Sequence, residues 1–350
     1  MLALGSIKAG MSASLDFAGR LVEDLDSSLW DSSDPATDDV RDYMVGAARA
    51  VAANLQNASV HLKYYGELRY AQDAEMGQLS RSTGRPFPIP GTNPRFDERE
   101  AQLDAAEQGL FVAAGASLDC LAAVLAGVAG LRTPIQRVDY GMLTPLRVAG
   151  ARTEVDYDRR LLRALSPAHT DLGQLQLGAV AALGAAVDAS GPAGWLLWAF
   201  GVRNMSVHRE HRMELISTAR STRRGRMVVD RLGPANPDQS HMAALKTAEY
   251  ELAQFYIHED LGTTLKGVMS SLSTTVVGTV AVLGNLWAER KARPELTVSA
   301  SAQWKPVSAY QVFKGYEPGP MGISSEKSAL IMHPSDARRM KAGGLIKPVR

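Results

Sequence analysis

The chain has a single cysteine, Cys120, in 350 residues. One thiol excludes an intrachain disulfide and any metal site built on a cysteine cluster, and leaves Cys120 as a small apolar core residue. Neither sign of charge dominates: 38 Lys and Arg stand against 37 Asp and Glu, for a net charge of +1. That balance excludes a uniformly basic polyanion binder while leaving room for a local basic track. Aromatic residues are only 6% of the chain, and leucine and alanine recur at helical spacing, so a mainly α protein, a helical bundle, is expected. The phosphate loop of nucleotide triphosphatases, Gly-x-Gly-x-x-Gly, Gly-x-Ser-x-Gly and His-Glu-x-x-His are all missing, which removes support for triphosphatase, dinucleotide-dependent, hydrolase-fold and zinc-protease chemistry. The opening Met1-Leu-Ala-Leu-Gly-Ser-Ile-Lys8 has no long apolar run after basic residues. No secretory signal is expected, and the cytoplasm is the expected location.

The helical signals follow in order. Asp34-Pro35, with Asp38 and Asp39 after it, gives a capping residue, a proline for the first turn and acids against the helix dipole; the helix it starts is expected to run to about Ser80. Its second half, around Tyr64, Tyr65 and Tyr70, reads as a partly solvent-facing rod. Residues 81–95 carry four prolines and are expected to form a loop and a subdomain boundary. From Phe96 to Gly130, Leu103, Leu110, Ala114, Leu118, Leu121 and Leu125 fall at spacings of 7, 4, 4, 3 and 4, an amphipathic helix with a glycine stop. Asp119 interrupts its apolar part, either as a cap or buried hydrogen-bond acceptor toward a neighbouring helix, or as an acid near the functional motif described next. Ser166-Pro167 predicts a further helix to Val187, rich in Ala, Leu and Gly, and Ser190-Gly191-Pro192 predicts the start of another.

That last helix carries the most informative segment. Within the apolar run from Trp195 to Val202 the chain places Arg203, Asn204 and, after Met205-Ser206-Val207, His208. Arginine is a permanent planar cation that forks onto phosphate oxygens. Histidine exchanges protons near neutral pH, and asparagine both donates and accepts, so it can orient a hydroxyl. On a helix Asn204 and His208 share a face at i, i+4, whereas Arg203 lies roughly 140° round from His208. One helix alone does not easily converge all three. An ordinary helix-surface Arg–His pair is the plain alternative.

Spelled Arg-Asn-x-x-x-His, the segment resembles the signature of the HEPN superfamily, helical domains that include metal-independent ribonucleases of defence and toxin systems. The resemblance implies a bundle of long, long, short and motif helices over about residues 96–290. It also implies a homodimer in which two motif helices meet across a two-fold axis, and RNA cleavage to 2′,3′-cyclic phosphate and 5′-hydroxyl ends. The roles implied are His208 as general acid or base, Arg203 as charge stabiliser and Asn204 as orienting group, with an antitoxin or regulatory partner possible. The resemblance is confined to the six motif residues.

After the motif the chain turns basic. Arg209, Arg212, Arg220, Arg223, Arg224, Arg226 and Arg231 stand among few acids, and Leu215–Thr218 and Met227–Val229 alternate well enough for a short β-hairpin around Arg224-Gly225. Such a ribbon could track an RNA backbone with little sequence preference, or be an ordinary solvated hairpin. His208 and His211 at i, i+3, with Glu210 or Glu214, could share a metal, but the neighbouring arginines would repel a divalent cation, so neither metal nor cofactor is expected.

Leu261 to Trp287 contains Lys266 as its only charge and is long enough to span a membrane. Frequent Ser and Thr, and continuity with Leu245, Ala248, Leu252 and Phe255, favour a helix buried in protein. Beyond Arg293-Pro294 the chain is less helical, with Asp336–Lys341 as a possible last short helix and a basic tail. The expected organisation is an N-terminal long-helix region with a Pro-rich loop (1–95), a bundle with a basic hairpin (96–292, hairpin 212–232) and an irregular, β-containing extension (293–350). The leading expectation is a metal-independent endoribonuclease acting as a homodimer on RNA. The alternative is a non-catalytic helical module for dimerisation or for RNA or nucleotide binding, and a membrane-associated helical protein is a third.

Overall fold

The computed structural model describes residues 2–24, 33–83, 93–143, 157–208, 215–220, 227–235 and 256–306. It is mainly α. The helices among these residues are α1 (Leu2–Glu23), α2 (Thr37–Thr83), α3 (Pro94–Ala129), the short α4 (Tyr140–Leu143) and α5 (Arg159–Ala164), α6 (Asp171–Ser190), α7 (Trp195–His208) and α8 (Leu261–Ala292). Strands β1 (Leu215–Arg220) and β2 (Met227–Leu232) form the expected antiparallel hairpin between α7 and α8, with Leu215 paired to Leu232 and Arg220 to Met227.

The long helices pack as the apolar periodicity requires. α2 and α3 lie along one another, α1 packs on α2 and α8, and α6 packs on α8. All six apolar positions read from the α3 spacing are buried. A single core runs from Ile7 and Phe17 of α1 through α2, α3, α6 and α7 to Leu283 and Trp287 of α8, so the first 95 residues share it with those that follow. The rod character of late α2 is real: Tyr64 and Tyr70 are exposed while Tyr65 is buried.

Helix boundaries depart from expectation where a different residue supplies the cap. α2 extends to Thr83 and α3 starts at Pro94, so both edges of 81–95 are helical; proline at the first helical position costs no hydrogen bond, and Asn93 accepts the Phe96 N–H. α6 starts at Asp171 rather than after Ser166, because the Thr170 hydroxyl accepts the Gly173 N–H at 3.1 Å. α1, which carries neither proline nor N-cap signal, was not foreseen. α8 begins at Leu261, where the Asp260 carboxylate accepts the Gly262 N–H at 2.9 Å, so the apolar pattern from Leu245 does not continue as one helix into it. Among the described residues past Arg293, two single-turn 3₁₀ segments follow, Pro294–Leu296 and Ala300–Ala302. Asp336–Lys341 and the basic tail lie outside the described residues.

The C-terminus of α3 ends inside the molecule, where helix carbonyls would be orphaned. Gly130 takes the left-handed conformation at φ 66° and donates back to Gly127. Three long side chains from distant segments complete the end. Gln176 of α6 donates to the Ala129 and Gly130 carbonyls at 3.0 and 2.8 Å, Gln303 to those of Ala126 and Leu131, and Arg290 of α8 to those of Val128 and Leu296.

By length and composition, α3, α6 and α8 could each cross a membrane. The most apolar windows of α3 and α8 are 78% and 56% buried within the protein, whereas that of α6 is 28% buried. α6 is therefore the least enclosed of the three.

Candidate functional site

α7 is held at its start by a hydroxyl relay. The indole Nε1 of Trp195 donates to the Ser190 hydroxyl at 3.1 Å, Thr275 of α8 donates to the same oxygen at 2.8 Å, and Ser190 donates to the Val187 carbonyl at 2.7 Å. Further along, Trp198 packs edge-on to Phe111 of α3 with ring centroids 5.9 Å apart, and donates to the Pro234 carbonyl at 2.9 Å. Val202 and Met205 are buried, which orients the opposite side of the helix outward and leaves Asn204 exposed. The motif occupies the last six described positions of α7, and the His208 backbone is one turn beyond Asn204.

Arg203 lies half-exposed against α3, over Gly115. A Cβ at Gly115 would stand 2.8 Å from the Arg203 guanidinium carbon, so the absence of a side chain there is what lets the arginine lie flat. One turn along α3, Asp119 faces the same arginine, Oδ2 to Nη1 at 3.7 Å, and its other oxygen accepts the Tyr140 backbone N–H at 3.0 Å. Both sequence readings of Asp119 therefore hold: it caps the start of α4 and it stands beside the motif. Burial pushes the Asp119 carboxyl above the ordinary carboxylate range, opposed by the Tyr140 amide and the Arg203 charge.

Arg203, Asn204 and Asp119 open onto one pocket of about 620 Å³ between α3, α4, α6 and α7. Val187, Leu197 and Phe200 give it apolar walls, and Asp139 and Asp188 join Asp119 as carboxylates. Asp139 is engaged elsewhere: it accepts from the Met142 N–H at 2.8 Å and pairs with Arg160 at 2.7 Å. Apart from Trp195, whose indole N–H is spent on Ser190, the donor-bearing side chains of the lining are Arg203 and Asn204, fewer than the carboxylates. Sequence reasoning found Arg203, Asn204 and Asp119 but not Gly115 or the pocket walls. The i, i+4 spacing of Gly115 and Asp119 on one face of α3 was the available signal.

The basic ribbon divides. Arg220 ends β1, and Arg209, Arg212, Arg223, Arg224 and Arg226 lie outside the described residues, as do Glu210, His211 and Glu214 of the conceivable metal set. Arg231, counted in the ribbon by sequence, is not part of an exposed basic track. It is 3% exposed and pairs with Glu100 of α3 and with Gln72 of α2, the latter at 2.9 Å. Its own backbone N–H reaches Asp260 at 3.3 Å. It bolts β2 to the bundle and presents no cation to a polyanion. Among the described residues no three His, Cys, Asp or Glu side chains cluster closely enough to hold a metal ion. No protein-family model, no curated protein and no solved structure matches this chain.

Proposed function

We propose that the chain is a metal-independent endoribonuclease that works as a homodimer in the cytoplasm, of the defence or toxin kind implied by the HEPN resemblance. One observation carries the reading: Arg203 and Asn204, adjacent on α7, open together onto a pocket, with helical backbone continuing to His208. In this reading the scissile phosphate sits at the pocket rim on Arg203. The ribose 2′-oxygen attacks phosphorus as its proton passes to a base, and the P–O5′ bond breaks as an acid protonates the leaving 5′-oxygen. No redox partner or metal is needed for that balance. His208 of one copy supplies one proton transfer and His208 of a second copy the other. Arg203 bears the extra negative charge of the phosphorane and Asn204 orients the hydroxyl. Two copies answer the angular separation of Arg203 from His208 on one helix.

The experiment is cleavage of structured RNA in EDTA by the purified protein. Cyclic phosphate and 5′-hydroxyl ends are expected, and His208→Ala should lower the rate by about 10²- to 10⁴-fold without unfolding the chain. Products with 3′-hydroxyls, a magnesium requirement, or a strict monomer would remove the proposal. A second reading, a non-catalytic nucleotide-binding module, is favoured by the pocket itself, whose volume and apolar walls suit a small ligand whether or not anything is cleaved.

A further inference from the structure

The pocket beside Arg203 has a chemical asymmetry that the cleavage reading does not use. A phosphate placed inside it would meet carboxylates, whereas its apolar walls, Val187, Leu197 and Phe200, fit a flat ring. Of the three carboxylates, Asp139 is tied to Arg160 and to the α4 backbone, and Asp188 lies at the exposed end of α6. Asp119 differs from both. It is half-buried in the wall, one oxygen takes a single amide N–H, and the other stands 3.7 Å from Arg203, beyond hydrogen-bond length. Each carboxylate oxygen can accept two hydrogen bonds, so Asp119 retains accepting capacity toward the cavity.

A carboxylate with both oxygens able to accept selects a ligand edge with two adjacent donors. Among the bases of RNA, guanine presents N1–H beside N2–H₂. Adenine and cytosine set a ring-nitrogen acceptor next to their amino group, which would face the second carboxylate oxygen, and uracil has one N–H between two carbonyls. Repulsion there costs more than a missing bond, because the polar group is left buried and unmatched.

We propose that this pocket binds a guanine base, with its ring between the apolar walls and its N1–H and N2–H₂ donated to Asp119. The phosphate attached to that nucleotide then lies at Arg203 and Asn204. As a statement about cleavage specificity this rests on the ribonuclease reading; as a binding site it does not.

The test is calorimetric titration of the purified full chain, in EDTA, with the 3′-monophosphates of guanosine, inosine, cytidine and uridine. Guanosine should bind tightest. Inosine, which lacks only the 2-amino group, should bind about tenfold more weakly or worse, and the pyrimidines more weakly still. Asp119→Asn should bring guanosine down to the level of inosine. Leu197→Ala, at a position 55% exposed and so harmless to folding, should weaken all four alike and keep their order, which serves as the second variant if Asp119→Asn misfolds. Equal affinities for the four nucleotides, no binding at millimolar concentration, or guanine preference surviving Asp119→Asn would each overturn the proposal. Cleavage of RNA with no preference for guanosine would overturn the specificity statement and leave the nuclease. Guanosine binding with no cleavage would do the reverse.

Discussion

Helix α3 carries an arginine from another helix at two places, and the two are treated oppositely. At its C-terminal end Arg290 is 1% exposed and donates to backbone carbonyls, 2.5 Å from that of Val128 and 3.1 Å from that of Leu296. Burial lowers its pKa to about 10, so it remains cationic at neutral pH. Twelve residues earlier than Leu131, at Asp119, the facing arginine is Arg203, which is 30% exposed and sits 3.7 Å from the carboxylate over a glycine seat. The first arrangement closes a helix end. The second is held by packing rather than by saturating bonds and keeps capacity for a ligand. The contrast teaches that the buried arginine spends its terminal N–H groups on fixed backbone carbonyls, whereas the half-exposed one is positioned by packing and left with unspent hydrogen bonds.

The comparison breaks most visibly through the two arginines themselves. Arg290→Met should cost about 3 kcal/mol or more, because several buried carbonyls lose their donor at once, and urea denaturation would measure it. Arg203→Ala should cost less than about 1 kcal/mol of stability, yet lower RNA cleavage by about 10²- to 10³-fold. Similar stability losses for the two would show that Arg203 is a structural bolt as well.

Gly115→Ala sharpens the same point with a smaller change. Alanine favours the helix by about 0.5–1 kcal/mol over glycine, so the variant should unfold at the same or higher denaturant. Its Cβ would nonetheless displace the Arg203 guanidinium, and cleavage should fall at least about tenfold. A variant as active as the parent would separate Arg203 from its seat on α3.

Two carboxylates give opposite pH signs. The Asp119 pKa is raised in the folded chain by burial, so the associated stability is present in full below the unfolded value near ~3.9 and is lost as pH rises through the folded value. Asp119→Asn should accordingly equal or exceed the parent in stability at pH 7, with the gap closing toward pH 4. Asp34 is the reverse case. Hydrogen bonds from the Ser301 hydroxyl and amide, the Ser299 hydroxyl and the Ala36 amide hold its carboxyl well below the usual range. Its contribution is present above ~3.9 and lost as pH falls. Asp34→Ala should flatten the acid side of the stability profile by a small amount, read from thermal unfolding between pH 3 and 7.

Much of this architecture was legible because local chemistry decides it. The Gly130 stop, the α3 apolar series and the β1–β2 hairpin are written in residues whose effect reaches only a few positions, whereas Asp34-Pro35 lies just outside α2, which begins at Thr37. The burial of Arg231 was not legible. In the sequence it is one more arginine in a basic strand, and only its meeting with Gln72 and Glu100, from two helices far away in the chain, removes it from solvent. The pocket was half legible for the same reason: Arg203 and Asn204 announce themselves by interrupting an apolar helix, whereas the walls become walls only when α4 and α6 arrive. α6 starts later than Ser166-Pro167 implies because that cap-then-proline pair competes with a better cap four residues on, at Thr170.

The hydroxyl relay at Ser190 has a consequence for rates. Because α6, α7 and α8 meet at one side-chain oxygen, the wall carrying Trp195 and Leu197 is assembled with the fold and has little freedom left to surrender when a ligand arrives. For the nucleotide proposed above, association should therefore be a single step, limited by encounter, with discrimination between ligands expressed in how long each one stays.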